Sequence, residues 1–195
     1  MSGLLALFAL TTWQIAADGP LRRLDERVGR ALVGHGPERL TEFLADLGNM
    51  QIALPVLGCA ILWTVVRGER RAPVAAALAM AAVPLLVVPL KAWIARPGPL
   101  TDATGYYPSG HAATAAVAYG AAAVLLAPYV RHAWMMPVAA VLMTAATGIG
   151  LVLRGYHWPL DVAGSLWLCG VLLVALGLLS RRGGRRKATG SQPPK

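Results

Sequence analysis

A histidine and an aspartate in the last third of the chain have the spacing of a nucleophile and its partner. Asp161 is the only acidic residue after residue 102, and it follows His157 by four positions. Pro159 favours the first position of a helix, which would place Asp161 in the first turn and His157 just before it. A carboxylate placed there can bind one imidazole nitrogen and leave the other as nucleophile or base. Taken alone, the pair has an equally good alternative interpretation. Asp161 would only complement the helix dipole, and His157 would be an interfacial residue.

A second cluster, Gly105-Tyr106-Tyr107-Pro108-Ser109-Gly110-His111, opens an apolar run. Ser109 is a typical helix cap, and the free amides of Gly110 and His111 would then point towards an anion. An ordinary transition from loop to helix would explain the cap, but it would not require the imidazole of His111.

Three basic residues accompany these clusters. Lys91 and Arg96 belong to a third cluster, residues 91–99, at the end of an apolar run, where cations are routine interfacial anchors. Arg154 precedes His157 by three residues. In a tight turn its guanidinium could bind two oxygens of an anion, or it could reach the lipid headgroups at a helix end.

The elements that must position these residues are membrane helices. Of the 195 residues, 56% are hydrophobic and 14% are charged, against about a quarter charged in an ordinary soluble domain. We therefore predict an all-α polytopic membrane protein with about six transmembrane helices. The apolar runs cover residues 4–17, 50–66, 72–90, 111–128, 133–153 and 159–180.

Residues 1–180 are predicted to form a single membrane-embedded domain. Within it, residues 21–47 read as an interfacial amphipathic segment, because apolar residues recur there at helical spacing among arginines. Residues 181–195 are predicted to be a disordered basic tail. The net charge of +9 comes from short basic clusters rather than one continuous face, which favours anionic headgroups and phosphorylated substrates over nucleic acid.

Six spans would bring all three clusters to one membrane face. The side that holds both termini carries ten Lys and Arg residues, and the opposite side carries eight. The bias predicts cytoplasmic termini in the cell membrane and clusters that face the extracytoplasmic side. Together the clusters describe a phosphate pocket with a nucleophile and a proton donor, and with no metal-ligand set.

In this order and on these spans, the clusters resemble the signature of the type 2 phosphatidic acid phosphatases, integral-membrane enzymes that share a helical core with vanadium haloperoxidases. That pattern is Lys, six residues, Arg-Pro; then Pro-Ser-Gly-His; then Ser-Arg, five residues, His, three residues, Asp. Residues 108–111 match fully, as do His157 and Asp161. Gly98 and Leu151 stand where the family has arginines.

The resemblance implies catalytic roles for three residues. His157 would attack phosphorus to form a phosphohistidine, Asp161 would orient it, and His111 would protonate the leaving group and later activate water. Lys91, Ser109 and Gly110 would hold the phosphoryl oxygens.

With the family's arginines displaced, Arg96 and Arg154 are the further candidates for substrate binding. No metal or cofactor is implied, because fixed donors can supply the charge neutralisation that phosphoryl transfer needs.

The expected function is therefore hydrolysis of a lipid phosphomonoester or pyrophosphate. Phosphatidic acid, phosphatidylglycerol phosphate and polyprenyl pyrophosphate are all open as substrates. Two alternatives remain at this stage. One is a non-enzymatic transporter or channel in which His157 and Asp161 relay protons, and the other is a catalytically impaired family member.

Overall fold

The computed structural model describes the backbone of residues 1–189 and the side chains of residues 1–178. The described residues form α-helices joined by short loops and one 3₁₀ turn, with no strand among them. The helices are α1 (Ser2–Ala16), α2 (Pro20–Leu32), α3 (Glu38–Asp46), α4 (Met50–Val66), α5 (Arg71–Ile94), α6 (Gly110–Leu126), α7 (Met135–Leu153) and α8 (Pro159–Thr189). The predicted all-α class is confirmed.

Four helical stretches are long and apolar enough to cross a membrane on their own: Arg71–Ile94, Gly110–Tyr129, Met135–Leu153 and Pro159–Leu178. The predicted spans at 4–17 and 50–66 are the shorter helices α1 and α4. Each is joined to an amphipathic neighbour at a bend, of 83° between α1 and α2 and of 44° between α3 and α4. Counting each bent pair as one span gives the predicted six.

Helix α6 is the centre of the bundle and packs against α4, α5, α7 and α8. In its apolar stretch 67% of the residues are buried, against 22% to 33% in the other three long helices. The many alanines of α6 explain its central position, because small side chains let neighbouring helices approach closely in a membrane. Gly120 extends the same surface, since a Cβ there would lie 2.5 Å from Leu173 on α8.

The segment predicted as amphipathic forms α2 and α3. On α2 the apolar residues Leu21, Leu24 and Val28 are exposed, whereas Asp25 and Gly29 face the protein. The apolar stripe is thus free to contact lipid.

The backbone of residues 181–189, the first nine of the predicted tail, continues α8. Residues 190–195 of the predicted tail lie outside the described residues.

Candidate active site

Three helix ends meet at one end of the bundle. Helix α5 stops where Ala95 adopts a left-handed backbone conformation, with φ of 46°. Helix α6 begins after Ser109, whose Oγ accepts a hydrogen bond from the Ala112 amide. Helix α8 begins at Pro159. The three clusters found in the sequence therefore lie together, although they are far apart in the chain.

His157 and Asp161 are in contact, as their spacing predicts. His157 Nδ1 lies 3.4 Å from Asp161 Oδ2, and the same oxygen accepts a 3.0 Å hydrogen bond from the Trp158 amide. Asp161 is fully buried and His157 is 7% exposed. Because the ring turns Nδ1 towards the carboxylate, Nε2 is the nitrogen on the side of the ring away from Asp161.

The loop before α6 is tied directly to the first turns of α8. The Ser109 amide donates to the Asp161 carbonyl over 3.0 Å. Ser165 Oγ lies 2.8 Å from the Ser109 carbonyl and 2.9 Å from that of Asp161. These bonds fix the amino end of α6, with its free amides, beside His157 and Asp161.

A cleft of about 740 Å³ opens in front of this junction. Its polar end is lined by Lys91, Gly110, His111 and His157. Lys91 Nζ donates a 2.6 Å hydrogen bond to the Gly105 carbonyl, which holds the ammonium at the cleft. Four of the predicted site residues are therefore brought to one surface.

The rest of the cleft is apolar and runs between α4 and α5. Its lining includes Leu54, Leu57 and Ile61 from α4, with Met80 and Val87 from α5. A polar end joined to a long apolar groove has the shape of a site for an amphiphile.

Three predicted substrate-binding residues do not line the cleft. Ser109 is fully buried, and its side chain caps α6. Arg96 is also buried, and it is paired with Asp161 and Asp25.

Arg154 lies on another surface, against α3. Its Nη1 donates to Glu38 over 3.1 Å, and its Nε is 2.7 Å from a Glu42 oxygen. Its guanidinium therefore has two carboxylate partners away from His157.

Two tyrosines of the second cluster lie beside the site, although the sequence assigned them no role. Tyr106 lines the cleft, and its ring meets that of His157 edge to face, with the centroids 5.6 Å apart. Tyr107 is fully buried, and its hydroxyl lies 2.8 Å from Thr12 Oγ1 on α1. Burial raises the pKa of the Tyr107 hydroxyl, so it stays protonated. Their position next to Pro108-Ser109 was the only available signal.

Asp25 was also missed. It lies on α2, far from the three clusters in sequence, and it hydrogen-bonds Arg96 and the Leu160 amide. The signal was an acidic residue four positions after Leu21 and three before Val28, at the edge of the apolar stripe of α2.

Comparisons with known proteins agree with this architecture. A crystal structure described as the first transmembrane PAP2-type phosphatidylglycerolphosphate phosphatase, from Bacillus subtilis, superposes with a TM-score of 0.76. The match covers 95% of this chain and 98% of that one at 23% sequence identity, and it shows a shared fold. No curated protein matched the sequence significantly. The sequence pattern of the PAP2 superfamily matches residues 72–183, more than half of the chain. The chain therefore belongs to the PAP2 superfamily.

Proposed function

We propose that this protein is an integral-membrane phosphatase that hydrolyses a lipid phosphomonoester or pyrophosphate through a phosphohistidine at His157. The observation that carries the proposal is the cleft, which places His157, His111 and Lys91 at the end of an apolar groove between α4 and α5. A phosphorylated lipid has the matching chemistry, with an anionic headgroup and an apolar chain. The similar Bacillus subtilis protein, by its description, acts on phosphatidylglycerolphosphate, one of the three candidate substrates.

In the first step Nε2 of His157 attacks phosphorus. The Nε2–P bond forms as the bond from phosphorus to the leaving oxygen breaks, and His111 gives that oxygen a proton. Asp161 accepts the Nδ1–H of His157, which keeps the lone pair on Nε2 and stabilises the cation that develops on the ring. Lys91 and the free amides of α6 neutralise the phosphoryl oxygens.

In the second step water attacks the phosphohistidine. His111 takes a proton from the water, the Nε2–P bond breaks, and His157 is restored. Phosphoryl transfer requires mainly positioning and charge neutralisation, and fixed cations and amides can provide both. We therefore propose that the reaction requires no metal ion.

The test is phosphate release by purified protein in the presence of EDTA. Phosphatidic acid, phosphatidylglycerol phosphate and a polyprenyl pyrophosphate are presented separately in mixed micelles. We expect release from at least one of them, and a ³²P-labelled protein that is stable to base and labile to acid.

His157→Asn removes the nucleophile and should abolish both phosphate release and labelling. His132→Asn is the matched control, because His132 is exposed beyond the opposite end of α6. Release that survives His157→Asn would refute the mechanism. No release from any of the three lipids would favour a non-enzymatic or impaired protein.

A further inference from the structure

Arg96 lies outside the cleft in a closed cluster of charges. Its Nη1 donates to Asp161 Oδ1 and its Nη2 to Asp25 Oδ2, each over 2.7 Å. The Arg96 side chain is 0% exposed, and those of Asp25 and Asp161 are 3% and 0% exposed. An oxygen of Glu26 lies 3.6 Å from Nη2. The guanidinium therefore ties α2 to α8.

Arg96 occupies one carboxylate oxygen of Asp161 and leaves the other to His157. A guanidinium is planar and rigid, so its hydrogen bond to Oδ1 also fixes the direction of Oδ2. That second oxygen is the one 3.4 Å from His157 Nδ1. The orientation of the imidazole thus depends on a residue that does not itself face the cleft.

Asp25 fixes this arrangement from the other side. Its Oδ2 holds Arg96, and its Oδ1 accepts a 2.8 Å hydrogen bond from the Leu160 amide. Leu160 lies in the first turn of α8, where backbone amides lack partners within the helix. One carboxylate on α2 therefore holds both the arginine that orients Asp161 and the backbone three residues after His157.

We propose that Asp25 and Arg96 are positioning residues that set the orientation of the Asp161–His157 pair. The inference rests on the proposed function, in which His157 is the nucleophile. Both terminal nitrogens of Arg96 are engaged by carboxylates, and neither Arg96 nor Asp25 is among the residues that line the cleft. Their contribution therefore concerns the rate of the chemical step and not the binding of substrate.

Asp25→Asn tests the proposal with little change in shape. Loss of the charge leaves Arg96 with a single strong partner and lets Asp161 turn. We expect kcat to fall by about 10-fold or more while KM stays within about threefold, because a small misplacement of reacting groups slows chemistry strongly. Asp102→Asn is the matched control, since Asp102 is exposed in the loop between α5 and α6.

A second measurement does not depend on lipid turnover. Diethyl pyrocarbonate transfers an ethoxycarbonyl group to an unprotonated imidazole nitrogen, and mass spectrometry reports the rate for each histidine. In Asp25→Asn the rate at His157 should fall, because Nε2 is less nucleophilic when Nδ1–H loses its acceptor. The rate at the exposed His132 should not change. If Asp25→Asn does not yield monodisperse protein, Arg96→Lys is used in both assays, because a single ammonium cannot hold both carboxylates in this geometry.

The outcomes separate this inference from the proposed function. A wild-type protein that releases no phosphate, together with a slower reaction of His157 in Asp25→Asn, would refute the phosphatase and leave the positioning role standing. An active wild type with unchanged kcat and unchanged His157 reactivity in Asp25→Asn would overturn the positioning role alone. A rise in KM with kcat unchanged would overturn it too, because that result assigns the cluster to substrate binding.

Discussion

Gly98 lies directly against the ring of Tyr106. A Cβ on Gly98 would be 2.5 Å from Tyr106 Cζ and 2.7 Å from both Cε atoms. Gly98 stands where the PAP2 pattern has an arginine. The space beside Gly98 is filled by the ring of Tyr106, which also contacts His157. The other substituted position, Leu151, is 1% exposed and packs in a small core with Ala45 and Ala112.

We predict that Gly98→Arg alone lowers kcat, because the Tyr106 ring must leave its place beside His157. In a Tyr106→Ala background the same substitution should lower KM, since the guanidinium then has room to reach the phosphoryl group. A double-mutant cycle on KM and kcat measures the coupling. A gain in kcat from Gly98→Arg with Tyr106 intact would contradict the prediction.

Arg154→Ala is expected to leave kcat within about threefold of wild type. The side chain is paired with Glu38 and Glu42 on the surface of α3, and such exposed pairs contribute little. Steady-state phosphate release measures the effect. A fall of about 100-fold would instead show that Arg154 stabilises charge in the transition state, as loss of an oxyanion donor does.

Lys91→Met should lower kcat/KM by about 10-fold to 100-fold, the range for removing a hydrogen bond to a charged group. Lys91 is the only Lys or Arg among the described residues that line the cleft. Lys91→Arg, which keeps the charge, should recover part of the loss. Equal activity of the Met variant and wild type would exclude Lys91 from phosphate binding.

The orientation of the protein can be tested with single cysteines in a background without Cys59 and Cys169. A membrane-impermeant maleimide added to intact cells should label Thr104→Cys, in the loop between α5 and α6. It should not label Arg70→Cys, at the opposite end of α5. The reverse pattern would place the cleft on the cytoplasmic side.

The sequence predicts the fold well, because hydrocarbon thickness fixes the length of a spanning helix and polar breaks mark its ends. Helices α5 to α8 begin within two residues of the predicted starts. The bends at α1–α2 and α3–α4 escaped prediction, since hydropathy reports the length of an apolar run and contains no information on the angle between helices.

The site was predictable where chemistry is local in sequence. His157 and Asp161 are one helical turn apart, and Ser109 caps the helix that it precedes. Arg96 was expected to bind substrate, and its burial between Asp161 and Asp25 could not be predicted, for the opposite reason. Its partner Asp25 lies 71 residues away, so no spacing rule could show that its guanidinium was already occupied.

The cluster of Asp25, Arg96 and Asp161 can form only late in the synthesis of the chain. Arg96 meets Asp25 across 71 residues and Asp161 across 65, so the three belong to early, middle and late parts of translation. A nascent chain inserted only as far as α7 holds Asp25 and Arg96 without Asp161, and it has His111 but lacks His157. Under the proposed mechanism, activity therefore arises only when α8 docks, and a chain that ends at α7 would not hydrolyse the lipids around it.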